Sequence, residues 1–363
     1  MKKLLPILLF SLLLGFSAFS QKEAANQILL RNYRPVSIYA IPITIPAKAK
    51  FPLIDMHSHP YASNVEELAN WVKTMDEMGI TKTIILTGTA GARFDSLSDV
   101  YGKYPGRFEL WCGFDYTGYD KPGFGPAAVK ELERCYKKGA KGVGELGDKG
   151  EGETYSKPVP GYGMHLDDAR MKPLLKKCAE LKMPVNIHVA DPFWMYLPTD
   201  STNDGLMNAS TWKVNLKPGM LDHGQLITTL ENAVRDNPKT IFIACHFANC
   251  EYDLSIIGSL LEKYNNLYLD IAARYAETAT IPRYMQLFYN KYKDRLLYGT
   301  DMGMDKKMYQ VTFRVLETFD EHFYEREQFG YHWAMNGFGL SDNILKKLYM
   351  SNALKIQRYE EGH

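Results

Sequence analysis

From residue 51 onward, hydrophobic and polar positions follow a repeating rhythm. Short runs rich in β-branched and aromatic residues alternate with longer stretches whose apolar positions recur at helical spacing. The short runs fall at 51–54 leading into His57 and His59, then at 81–86 (TKTIIL), 107–113 (RFELWCG), 140–145 (AKGVGE), 184–188 (PVNIH), 240–246 (TIFIACH), 267–271 (LYLDI) and 295–298 (RLLY). Helices are predicted over 64–78, 126–138, 167–181, 223–236, 252–263 and 282–292, with a helical tail over 342–358 packed outside. Asn64, with Glu67 three residues on, has the pattern of a helix start. Gly79 has that of a stop, and Pro126 suits a first turn.

Eight strands, each followed by a helix or a long loop, predict a single-domain (β/α)8 TIM barrel over 51–363. An open doubly wound sheet is the competing topology, and it would spread the strand ends along a line. Three stretches stand outside the rhythm. In 21–50, prolines 35, 42 and 46 argue for an edge strand or an irregular lead-in. The 189–222 connection carries Phe193, Trp194, Tyr196 and Trp212, as binding loops and lids of that length do. The pattern of 303–338 does not resolve into elements.

The first twenty residues have the form of a signal peptide. Lys2 and Lys3 precede an apolar run, and Ala18-Phe19-Ser20 is a cleavable small-residue site. The expectation is cleavage after Ser20 and an exported protein, periplasmic or secreted, with no membrane span afterwards.

Composition narrows the class further. A net charge of +1 over 363 residues gives no field for nucleic acid or an anionic membrane. The partner expected is a small molecule, with a homo-oligomer left open. The 5 cysteines include no C-x-x-C pair, so a zinc knuckle or dithiol motif is not supported.

The candidate chemistry sits at strand ends. His57 and His59, spaced i and i+2, point the same way from a strand, and neutral imidazole is the commonest ligand of zinc-like ions. Alone, the pair reads as two loop histidines. What changes this is that Glu145, His188, His246 and Asp301 also close predicted strands, which puts six donors on one rim.

These pieces resemble the amidohydrolase superfamily, in particular its amidohydrolase-2 branch of metal-dependent hydrolases and decarboxylases. The matching stretches are IDMHSH at 54–59, GVGELG at 142–147, NIHVADP at 186–192, ACHFAN at 244–249, LLYGTDM at 296–302 and ILKKLYMSNALKI at 344–356. The resemblance implies that His57, His59, His188 and Asp301 bind one metal ion. It implies that His246 is a further ligand or a proton-handling group, and that Glu145 is a fourth-strand carboxylate able to bind metal. No lysine is identified for a carbamylated two-metal site. Three imidazoles and a carboxylate suit Zn2+, with Mn2+ or Fe2+ as alternatives. Asp301 would take the proton of an activated water, and His246 would stabilise the oxyanion.

Arg274 and Arg93 are the candidates to grip a substrate carboxylate, and Trp194 and Tyr196 to form an aromatic wall or to hold the loop closed. Asp55 is expected to orient a neighbouring ligand, and His165 and His223 are lesser substrate-contact candidates. The function expected is hydrolysis of a C–O or C–N bond in a lactone, ester or amide. The alternatives are non-oxidative decarboxylation and an exported metal-binding protein without turnover.

Overall fold

The structure is a computed structural model that describes residues 25–358. The expected signal peptide, 1–20, lies outside the described residues. The chain divides into two units, Met1–Arg34 and Pro35–His363. In the first, the described residues form two isolated 3-10 turns, Ala25–Gln27 and Leu30–Asn32.

The second unit is an α/β barrel. Strands β1 (Leu53–Ser58), β2 (Ile80–Leu86) and β3 (Phe108–Trp111) form a parallel three-stranded sheet. A seven-stranded sheet runs in the order β10-β9-β8-β7-β4-β5-β6. Its members are β4 (Val143–Asp148), β5 (Gly152–Glu153), β6 (Gly161–Tyr162), β7 (Val185–Val189), β8 (Phe242–Ala244), β9 (Leu267–Asp270) and β10 (Leu296–Leu297). β5 and β6 are an antiparallel appendage. The remaining strands follow barrel order.

The two ladders are not continuous, but single hydrogen bonds stitch both seams. Between β3 and β4, the Cys112 amide donates to Gly142 O at 2.9 Å and the Gly144 amide to Cys112 O at 2.8 Å. Between β10 and β1, the Met56 amide donates to Tyr298 O at 2.9 Å and the Asp301 amide to His57 O at 3.0 Å.

Local chemistry accounts for the helices that were legible. In Val65–Met78 the buried Leu68, Trp71, Met75 and Met78 share one face, Asn64 accepts the Glu67 amide, and Gly79 closes the helix in the left-handed region. The barrel interior holds Ile54, Met56, Ile84, Leu86, Trp111, Ile243, Tyr268 and Leu297. Ala353 and Ile356 join this inner cluster, so the last helix (Asn352–Arg358) packs into the barrel core and not outside it as expected. Asn352 anchors it by donating to the carbonyls of Lys293 and Leu296.

Two of the longer helices fall where the pattern resolved no element. Gly91–Tyr101 buries only Phe94 and Tyr101, a stripe too sparse to read beside its glycines. Lys306–Glu317 is amphipathic, with Lys307, Gln310, Arg314 and Glu317 along its outer face, but it stands inside the 303–338 stretch whose flanks carry no regular pattern. Among the described residues, no helix is long and apolar enough to cross a membrane.

Candidate metal centre

Each of three histidines commits one ring nitrogen to an acceptor and aims the other at the same place. His57, fully buried at the end of β1, directs Nδ1 to Asp270 Oδ2 at 2.9 Å. His59 donates Nδ1 to Leu86 O at 2.9 Å, and His246 donates Nδ1 to Ala272 O at 2.9 Å. In the neutral rings this leaves the Nε2 lone pairs free.

Those lone pairs face two carboxylates. His57 Nε2 is 3.6 Å from Asp301 Oδ1 and 3.8 Å from Glu145 Oε1. His59 Nε2 is 3.1 Å from Asp301 Oδ1 and 3.3 Å from Glu145 Oε2. His246 Nε2 is 3.4 Å from Glu145 Oε1 and 3.7 Å from Asp301 Oδ2.

Lone pairs facing carboxylates repel unless a cation sits among them. Donor atoms each about 2.1 Å from one ion stand about 3.0–3.5 Å apart, close to the spacing found here. His57 Nε2 is buried with no hydrogen-bond partner, as a ligand atom awaiting a metal would be. The residues therefore fit a divalent cation. The compact donor groups are His57, His59 and Asp301 on one side, and His57, Glu145, Cys245 and His246 on the other.

The electrostatics point the same way. Burial pulls the His57 imidazole down, but the Asp270 and Asp301 charges overcome this and lift it to about 9. Burial opposes ionisation of Asp301, yet the His57 charge and the His59 hydrogen bond hold it below the usual carboxylate range. Glu145 is likewise held low against burial by His188, His246 and His59. Burial keeps His246 below its ordinary value, and so neutral. Two buried carboxylates demand positive charge, and protons or a metal ion can supply it.

The backbone around the site is unusual. His246, Phe247, Ala248 and Asn249 run through the left-handed region at φ 57, 55, 56 and 53°. Asp301 sits at φ 55°. Asp55 takes the His57 amide at 3.2 Å on Oδ1 and the Thr300 hydroxyl at 2.7 Å on Oδ2. It thus clasps β1 to the turn carrying Asp301, holding the His57 backbone and not its ring.

His188 stands apart from both donor groups. Its Nδ1 lies 2.9 Å from Glu145 Oε1, and its Nε2 3.6 Å from Asp191 Oδ1. Its Nε2, like that of His57, is buried without a hydrogen-bond partner, and the residue lines the same cavity as Glu145 and Asp301.

Of the proposed substrate contacts, Arg274 is buried against Asn249 Oδ1, at 3.1 Å from Nε and 2.6 Å from Nη2, with Glu251 and Glu277 beside it. Arg93 is exposed on the helix Gly91–Tyr101. Trp194 and Tyr196 lie on the 3-10 turn Phe193–Tyr196. The Tyr196 hydroxyl accepts the Asp191 amide at 3.3 Å, and Trp194 packs edge-on to Tyr331. None of these four lines the metal-site cavity. His165 is bound to Asp148 at 2.7 Å, and His223 donates to Asn249 O at 2.8 Å.

That cavity, about 360 Å3, is lined by His59, Glu145, His188 and Asp301 together with Lys149 and Tyr155. Lys149 Nζ is 2.5 Å from Asp191 Oδ1 and 5.6 Å from the Tyr155 ring centroid. A larger groove of about 710 Å3, lined by Lys172, Lys176 and Lys239, shares no residue with it and contains no histidine or cysteine.

Sequence reasoning missed several members of this site. Asp270 also takes the His246 amide at 3.0 Å. Tyr61 donates to Asp301 O at 3.0 Å and lies 3.3 Å from Oδ1. Cys245, a thiol kept neutral by burial, lies 2.9 Å from Asn186 Oδ1. Lys149 was missed as well. An aspartate closing a strand and a lysine just past one were the available signals.

Comparison with known proteins agrees with the fold. Residues 54–357 match the protein family described as Amidohydrolase. A search among proteins of curated function gave no match. An uncharacterised TIM-barrel protein of Bordetella bronchiseptica superposes with TM-score 0.55 at 14% identity, over 86% of this chain and 100% of that one. The 2,6-dihydroxybenzoate decarboxylase of Rhizobium gives 0.53 at 16%, over 86% and 100%. A dihydroxybenzoic acid decarboxylase of Polaromonas, solved with manganese and the inhibitor 2-nitroresorcinol, gives 0.54 at 18%, over 85% and 97%.

Proposed function

The chain belongs to the amidohydrolase family, and on that footing we propose that it is a metal-dependent hydrolase of small carboxylate-bearing esters, lactones or amides. The observation that carries this reading is the convergence of three imidazole Nε2 atoms with Asp301 and Glu145, each imidazole locked by an acceptor on its other nitrogen. His57, His59, His246, Glu145 and Asp301 would hold the ion, with His188 orienting Glu145. Zn2+ suits this donor set, and Mn2+, which the Polaromonas relative holds, is the alternative. A divalent ion there supplies Lewis acidity and makes water in the cavity acidic enough to ionise near neutral pH.

The protein groups do the rest. Asp301 is anionic, reaches the cavity, and is placed to take the proton from the attacking water and return it to the leaving group. The Tyr61 hydroxyl, bonded to the Asp301 carbonyl, steadies that residue. Lys149 replaces Arg274 and Arg93 as the group that meets a substrate carboxylate, since it lines the cavity and they do not. Tyr155 offers a ring face beside it.

Decarboxylation is the second reading, favoured by the same lysine: Lys149 would hold the carboxylate that leaves as CO2. Turnover in heavy-oxygen water separates the two. Hydrolysis places solvent oxygen in the product. Release of CO2 with no label in the organic product would overturn the hydrolase reading.

A further inference from the structure

The stretch leading into the barrel wears its apolar side outward. From Pro35 to Ala47 there is no charged residue. Val36 is 84% exposed, Ile38 88%, Ile43 75% and Ile45 70%, and Phe319 beside them is 75% exposed.

The stretch is nonetheless anchored, not trailing. Thr44 donates its amide and hydroxyl to the two Asp320 oxygens at 2.7 and 2.8 Å. Asp320 is itself buried and paired to Arg314. Ser37 Oγ lies 3.3 Å from His322 Nδ1, and Tyr39 packs edge-on to the same ring. Polar groups face the barrel and aliphatic ones face solvent, the reverse of an ordinary surface strap.

We propose that this strap is the contact surface for a second copy of the chain, paired strap to strap about a twofold axis. Two observations choose this occupant. Among the described residues, the amides of Val36, Ile38 and Ala40, at alternate positions, make no hydrogen bond. Hydrocarbon cannot satisfy such groups, so a lipid surface fits poorly, whereas an extended backbone satisfies them directly. The strap supplies that backbone itself, and a twofold sets one uncharged stretch against another. The exposed side chains together present an area of the order of the ~800 Å2 per partner that a standard interface buries. Pro42, lacking an amide proton, interrupts the pairing edge and opposes growth beyond two copies.

The test is the solution mass of the chain by sedimentation, beside an Ile38→Asp/Ile43→Asp variant. Both positions are exposed and outside the metal centre, so folding, metal content and turnover should be unchanged. The expected result is a wild-type mass twice that of the variant at micromolar concentration. A wild type that stays monomeric, or a variant that remains dimeric, overturns the proposal. A monomeric wild type that sediments with phosphatidylglycerol vesicles while the variant does not would overturn it in favour of a membrane contact.

Discussion

Asp270 Oδ2 lies 2.9 Å from His57 Nδ1, deep in the barrel, where neither side chain touches solvent. The other Asp270 oxygen takes the backbone amide of His246 at 3.0 Å. One carboxylate therefore sets the tautomer of one candidate ligand and the position of another. Such a partner behind a ligand typically controls metal affinity by 10–100-fold.

Replacing Asp270 by Asn should accordingly weaken metal binding by about 10–100-fold while leaving the fold intact. Chelator competition followed by metal analysis reads this directly. Unchanged affinity would mean that the His57 ring is held by packing alone.

Lys149→Met should raise KM for carboxylate-bearing substrates by roughly 10–100-fold, the worth of one hydrogen bond to a charged group at about 1.5–3 kcal/mol. Neutral analogues should be affected far less. Steady-state kinetics on a matched acid and amide pair would show the split, and equal losses on both would assign Lys149 to the scaffold.

The His165–Asp148 pair gives a pH signature away from the metal. Asp148 raises the His165 pKa above its ordinary 6.5 by hydrogen bonding, against burial. A histidine raised on folding adds stability that is fully present below the unfolded value of 6.5 and is lost as pH rises through the higher folded value. The Tm advantage of wild type over His165→Gln, on the order of 1–3 °C, should thus shrink between mildly acidic and alkaline buffer. Thermal melts across that range measure it, and an advantage that grows with pH would contradict the assignment.

The Phe193–Tyr196 turn can be loosened from behind. A β-carbon on Gly205 would come within 2.4 Å of the Trp194 ring, although the Gly205 backbone at φ −86° accepts alanine. Gly205→Ala should displace the indole at a cost of about 1–3 kcal/mol. Tyr196 on that turn meets Asp191, which in turn holds Lys149, so KM should rise along with a shift in tryptophan emission. Altered emission with unchanged KM would uncouple the turn from the cavity.

What could be read in advance was whatever repeats at short range. The strands announced themselves by composition, and the pairing of His57 with His59 by a two-residue spacing that any strand turns into a shared direction. Asp270 was invisible because its partner lies 213 residues away, and nothing local distinguishes it from any aspartate closing a strand. Arg274 looked like a rim cation because it follows β9 closely. Only the fold reveals Asn249 in front of it, presented by the left-handed turn after β8. Lys149 was passed over inside a glycine-rich stretch because its value depends on Asp191 and Tyr155 arriving from elsewhere.

That left-handed turn bears on how the centre comes into being. Four successive side-chain-bearing residues in this conformation, at about 1–2 kcal/mol each, amount to a sizeable fraction of the roughly 5–15 kcal/mol by which a typical domain is stable. No isolated segment could sustain them, and only the finished wall around His246 holds them in place. An ion arriving early would lack the His246 side of its coordination shell. On that count a metal ion would complete its coordination only after the barrel wall has closed.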